Sequence, residues 1–162
     1  MLLLMQEFSI RGSIQRDADR SAMKISARNQ LKGTVQGITR GEVSSEVTLV
    51  LASGERIVAV ITSSSVDSLG LNDHAAAYAI IKASEVIVGK GMDASRLSAR
   101  NVLAGKVTGI IDGPVNSEVS IELSGGGVIV ASITRYSAHA LELRIDDQVS
   151  AIVKASNVIV GV

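Results

Sequence analysis

The chain has 162 residues, enough for one ordinary domain or two small ones, and its 16 basic and 16 acidic side chains cancel. That balance argues against holding nucleic acid by its backbone, and the absence of cysteine excludes disulfides and thiolate metal sites. Two histidines are too few for most zinc sites, and with 46% hydrophobic but only 2% aromatic residues the core must be filled by Val, Ile, Leu and Ala, a composition that suits β-structure.

Residues 1–25 read as an N-terminal extension, of which 1–22 have no counterpart elsewhere in the chain. Leu2-Leu3-Leu4 is too short for a signal-peptide core and lacks a basic flank, and no segment reaches the length of a membrane span. A cytoplasmic protein without a membrane partner is expected. Leu31 to Ile38 gives a first strand. Val47, Leu49 and Leu51 then alternate with Glu46, Thr48 and Val50, the turn Ala52-Ser53-Gly54-Glu55 follows, and Ile57, Ala59 and Ile61 alternate again. This is a hairpin with one buried face. Between Ser65 and Leu71 a serine before a short apolar pair predicts a capped helical turn. Ala77–Lys82 and Glu85–Val88 give two further strands, and residues 90–97 form a short link.

After the link the pattern starts again. Sliding the sequence by 72 residues aligns Ser26–Lys90 with Ser98–Val162 without a gap, and 33 of the 65 positions are identical. Ser26-Ala27-Arg28-Asn29 falls on Ser98-Ala99-Arg100-Asn101, and Lys82-Ala83-Ser84 on Lys154-Ala155-Ser156. A period this long marks two globular units rather than a solenoid. Five short strands and one helical turn in about 65 residues suit a small barrel of the oligonucleotide/oligosaccharide-binding type. The expected fold is all-β: two tandem five-stranded OB-like barrels, 26–90 and 98–162, each with a short helical turn.

Met23-Lys24-Ile25-Ser26-Ala27-Arg28-Asn29, its repeat Arg96-Leu97-Ser98-Ala99-Arg100-Asn101, and the endings Ile81-Lys82-Ala83-Ser84 and Val153-Lys154-Ala155-Ser156-Asn157 resemble the Mop domain. Two in tandem are similar to the di-domain molbindins and to the effector half of the molybdate-responsive transcription factor. The resemblance covers residues 23–162. It implies oligomeric assembly, a trimer by preference since that gives six barrels, and molybdate or tungstate bound between subunits, with no organic cofactor and no metal held directly by side chains. A tetrahedral dianion taken out of water needs its hydration replaced by donors and at least one positive charge. The residues that match the family's pocket are Ser26, Arg28, Thr62, Ser65, Lys82 and the amide of Ala83. In the second repeat they are Ser98, Arg100, Thr134, Ser137, Lys154 and Ala155. The family divides Ser-x-Arg from the Thr/Ser/Lys groups between subunits. No acid lies within these short motifs.

A second type of oxyanion site in the family uses the loop that here carries Val43, Ser44 and Ser45, and Val115, Asn116 and Ser117. The same residues equally fit a turn whose serine or asparagine bonds its own backbone. Glu46 and Glu118 read as strand-edge or interface residues. His74 and His139 occupy non-equivalent positions and read as surface residues, and Tyr136, in place of Ser64, reads as a shield over the second pocket.

The function implied is binding and intracellular storage of molybdate or tungstate; the alternative is the sensor half of a transcription regulator, for which no recognition helix is visible here. Base-stacking on an OB-type barrel needs aromatic platforms, and the chain has only Phe8, Tyr78 and Tyr136. Nucleic acid is therefore not an expected partner. An enzyme is not expected either, since no nucleophile, base and orienter recur together.

Overall fold

The computed structural model describes residues 23–162; the expectations for the N-terminal run lie outside the described residues. The first repeat forms β1 (Asn29–Thr39), β2 (Ser44–Leu51), β3 (Arg56–Thr62), α1 (Ser63–Ser68), β4 (Ala76–Ile81) and β5 (Ile87–Gly89). The second forms β6 (Asn101–Asp112), β7 (Asn116–Leu123), β8 (Val128–Thr134), α2 (Arg135–Ala140), β9 (Gln148–Val153) and β10 (Ile159–Gly161). These are the five short strands and one helical turn read from each repeat. The alternation in β2 puts Val47, Leu49 and Leu51 inside, as the period-2 rule requires. Gly54 and Gly126 take φ of +94° and +99° in the β2–β3 and β7–β8 turns, where a side chain would be strained. The helical turn starts earlier than expected. Its cap is Thr62, not Ser65, because the Thr62 hydroxyl accepts from the Ser65 amide.

Two five-stranded antiparallel sheets result, in the orders β10-β4-β1-β2-β3 and β5-β9-β6-β7-β8. The fifth strand of each repeat is therefore exchanged. β5 pairs with β9 (Ile87↔Ile152) and β10 pairs with β4 (Ile159↔Ile80). The expectation that each repeat fills its own sheet fails at this strand. A 3₁₀ turn, Ala83–Glu85 or Ala155–Asn157, follows β4 or β9 and leads the chain to the other half. In each sheet the exchanged strand also touches the far edge strand, β3 or β8, so the sheet curls into a barrel without a hydrogen-bonded seam there. Val35, Leu49, Ile57 and Ile81 fill one interior and Val107, Ile121, Ile129 and Val153 the other, all fully buried. Burial of each such side chain contributes roughly 1.5–3 kcal/mol.

The halves are further joined by polar contacts that recur about a pseudo-twofold axis. Asn101 Nδ2 donates to the Val58 carbonyl at 2.8 Å, and its Oδ1 accepts from the Val58 amide at 2.7 Å. Asn29 does the same to Val130, at 2.8 and 2.7 Å. A primary amide here completes a strand edge as another strand would. Asn157 Nδ2 donates to Glu85 Oε2 at 2.7 Å. The two are equivalent positions in the repeat, so this bond sits on the axis. Glu55 Oε1 accepts from the Gly125 amide at 2.8 Å, and the Ser53 hydroxyl, chiefly, with that amide holds its carboxyl below the usual range. The link is fixed as well: Lys90 Nζ donates to the carbonyls of Leu141 and Glu142 and pairs with Asp147 at 2.9 Å.

Candidate functional site

The register of β1 with β4 pairs Asn29 with Ile81, so Arg28 and Lys82 extend the two strands at the same end of the sheet. Ser26 lies just before and the Ala83 turn just after. That turn packs on β8 of the second repeat. Arg28 crosses to the same region, donating both guanidinium nitrogens to Glu118 on β7 at 2.7 and 3.0 Å. Glu118 is the register partner of Ser132, and Thr134 is the next residue on that face of β8. The first repeat thus delivers Ser26, Arg28, Lys82 and Ala83 to the face that leads to Thr134 and Ser137. The mirror group brings Ser98, Arg100, Lys154 and Ala155 onto β3 and toward Thr62 and Ser65, with Arg100 on Glu46 at 2.8 and 3.1 Å.

Within the chain the division therefore falls between repeats, and the lysine stands with Ser-x-Arg rather than opposite it. An acid also reaches each group from the other repeat, which the short motifs did not show. Glu118 and Glu46 neutralise the arginines, and no ion pair forms at Lys82 or Lys154 among the described residues. Both lysines are exposed. The uncompensated cation of each group is the lysine. The 3₁₀ turns bond from Glu85 and Asn157 back to Lys82 and Lys154, so the amides of Ala83 and Ala155 lie outside the turns' own bonds. Thr62 Oγ1 and Ser65 Oγ lie 2.7 Å apart, and Thr134 donates to Ser137 at 2.8 Å. The threonine hydroxyls cap the helical turns, and each forms an exposed pair with its serine.

The second-type loops divide into outward and inward residues. Val43 and Val115 are 77% and 73% exposed, and Ser44 and Asn116 begin their strands in the open. Ser45 and Ser117 are buried and already engaged. Ser45 Oγ meets Ser63 Oγ at 2.8 Å, and Ser63 donates to the Gly41 carbonyl at 2.7 Å. Ser117 donates instead to Asp112. His139 Nε2 lies 2.9 Å from the other Asp112 oxygen, and the Ser117 hydroxyl, then His139, hold the Asp112 carboxyl below its usual range. The equivalent pair in the first repeat is Arg40 and Asp67 at 2.8 Å, with the charges reversed. His74 is exposed and takes φ of +71°. Tyr136 is 83% exposed. Sequence reasoning passed over Asn29 and Asn101, while Glu46 and Glu118, read as strand-edge or interface residues, pair across the repeats. Their recurrence at the 72-residue offset was the available signal.

The TOBE-domain signature matches residues 25–88 and 97–160, the two repeats almost end to end. The chain belongs to the TOBE-domain family. The molybdenum-pterin-binding protein MopA of Rhodobacter capsulatus is 42% identical over 139 residues, 86% of this chain and 52% of that protein. The molybdenum transport protein ModE of Herbaspirillum seropedicae is 37% identical over 143 residues, 88% of this chain and 53% of that protein. The chain thus spans about half the length of these curated relatives. The structure of the cytoplasmic molybdate-binding protein ModG, with molybdate bound, superposes with a TM-score of 0.84 at 43% identity, covering 86% of this chain and 99% of that one. The Mop resemblance and the tandem all-β fold read from the TOBE repeats both hold. No helix of the described residues is long and apolar enough to cross a membrane.

Proposed function

We propose that the two TOBE repeats bind molybdate or tungstate and hold it in store in the cytoplasm, where ModG is described. The likeness to ModG over nearly that whole chain carries this reading. Lys82 and Lys154 supply the charge, the amides of Ala83 and Ala155 and the hydroxyls of Ser26, Ser98, Thr62, Ser65, Thr134 and Ser137 the neutral donors. Arg28 and Arg100 stand beside these donors, each neutralised by its glutamate. The protein works by binding, not by catalysis, as the relatives' names describe binding and transport. The loops at Val43–Ser45 and Val115–Ser117 offer outward amides to a second type of site. A homo-oligomer, with a trimer favoured, would cover Val43 and Ile111, both more than two-thirds exposed.

The match to ModE supports a second reading, in which the repeats sense the anion for a regulator whose remaining length lies outside this chain. Calorimetric titration with molybdate, tungstate and sulfate, with the assembly mass measured alongside, tests the binding. Saturable molybdate uptake that sulfate does not match supports it; equal, non-saturating heats for all three overturn it.

A further inference from the structure

The repeats share their core but not the surface beside the helical turn. In the second repeat a recess of about 410 Å³ opens between the Gly113–Asn116 turn and α2, lined by Pro114, Val115, Thr134, Arg135, Tyr136 and His139. No acid lines it. At the same six positions the first repeat carries Glu42, Val43, Thr62, Ser63, Ser64 and Asp67: two acids and no cation. Asp112, whose carboxyl Arg135 helps least of its neighbours to hold low, has its two oxygens taken by Ser117 and His139. Among the described residues Arg135 forms no ion pair. Beside it stands Tyr136, one of three aromatic residues in the chain and 83% exposed.

We propose that this recess is a separate ligand site, peculiar to the second repeat, for a small organic anion that carries a flat ring, in chemical class an aryl phosphate. A guanidinium matches a phosphate group's geometry with two parallel donors, which a lysine would not. An exposed phenol ring offers a face for stacking, and Pro114 and Val115 give the apolar wall that an inorganic anion would not use. The first repeat lacks both the guanidinium and the ring there and carries Glu42 instead, while its Asp67 is already paired with Arg40. The site shares Thr134 with the oxyanion set and Val115 with the second-type loop, but its guanidinium and ring, Arg135 and Tyr136, belong to neither, so it stands or falls independently of molybdate binding.

The test uses the full chain, with phenyl phosphate, inorganic phosphate and phenol as probes and amide NMR shifts as readout. Phenyl phosphate should saturate the signals of residues 113–116 and 134–139, and bind at least about tenfold more tightly than either fragment. Arg135→Ser and Tyr136→Ser, which install the residues of the first repeat, should each lower its affinity by about tenfold. Tyr136→Phe should keep it, and all three variants should titrate with molybdate like the parent. Phenyl phosphate that binds no better than phosphate, or equally well to Arg135→Ser, overturns the proposal. So does finding these signals already shifted with protein concentration and blind to phenyl phosphate, since a second copy would then fill the recess.

Discussion

The two repeats agree where they hold each other and disagree where they face outward. Asn29 and Asn101 make the same pair of bonds, Arg28 and Arg100 the same fork onto a glutamate, and Lys82 and Lys154 precede the same turn. Next to those glutamates, on the outer turns, Arg40–Asp67 becomes Asp112–His139, and a serine pair becomes serine on aspartate. Contacts on a pseudo-twofold axis constrain both copies at once, because a change in either half breaks a bond in the other. Contacts within one repeat leave its twin untouched, so the copies are free to diverge there.

The largest expected effect breaks the shared lock. Asn101→Ala leaves the amide and carbonyl of Val58 without partners in a buried site. Each stranded group costs about 1–3 kcal/mol, so a loss of roughly 2–6 kcal/mol is expected. Asn29→Ala should cost less, because its bonds to Val130 are only part-buried and water can replace them. Urea unfolding reads both: the midpoints should fall in that order with the slope unchanged. Equal midpoints for parent and Asn101→Ala would show that the lock contributes nothing.

Next in size is ligand binding. Lys82→Ala and Lys154→Ala should each weaken molybdate binding at the affected site by roughly tenfold or more, since a charged donor to an anion contributes about 1.5–3 kcal/mol. Folding should survive, because neither lysine leaves an ion-pair partner behind among the described residues. Calorimetry on the two variants sharpens the comparison. Similar losses mean that the repeats bind alike, and no loss in a folded, assembled double variant sinks the role given to the lysines.

What the sequence showed and hid follows the same division. Alternation in β2, β3, β7 and β8, the turn glycines and the 72-residue offset are local or self-referring signals, and they gave the strands and the repeat. The strand exchange was illegible for a physical reason. Val86-Ile87-Val88-Gly89 and Val158-Ile159-Val160-Gly161 are identical, and their partners Ala79-Ile80 and Ala151-Ile152 are too. Either fifth strand offers the same side chains in the same register to either sheet, and only the path after the 3₁₀ turn decides. Glu118 could not be assigned to Arg28 because 90 residues separate them and each sits among ordinary surface charges. The lysines, serines and threonines of the site were found through the family resemblance. Their hydrogen bonds to each other, as between Thr62 and Ser65, required the fold.

A smaller effect probes the acids that the motifs did not reveal. Glu118→Gln and Glu46→Gln release Arg28 and Arg100 from half-exposed ion pairs, which contribute about 0.2–1 kcal/mol at such sites. Stability should change by no more than that. Oxyanion affinity should rise, by up to roughly fivefold, as the arginines lose their neutralising partners. The two variants should behave alike, because these pairs belong to the shared lock. A fall in affinity on calorimetry would mean that the glutamates position the arginines for the ligand.

The smallest expected effect separates the repeats. Asp112 is bonded by Ser117 and His139, which hold its carboxyl below the ordinary value of 3.8. A carboxylate whose folded value is depressed binds its proton more weakly in the native state than in the unfolded one, so its contribution is present above 3.8 and is lost as pH falls through the depressed value. Asp112→Asn removes that contribution and should lower the melting temperature slightly near neutral pH. The gap between variant and parent should then close in acid, as the parent's own carboxyl takes up its proton. The first repeat offers the control. Arg40→Gln breaks the reversed pair with Asp67 and leaves Ser45 bonded to Ser63, so the buried serine keeps its partner. Melting curves from neutral to acid pH decide the point: a gap for Asp112→Asn that persists unchanged at the lowest pH would show that the aspartate acts through packing and not through its charge.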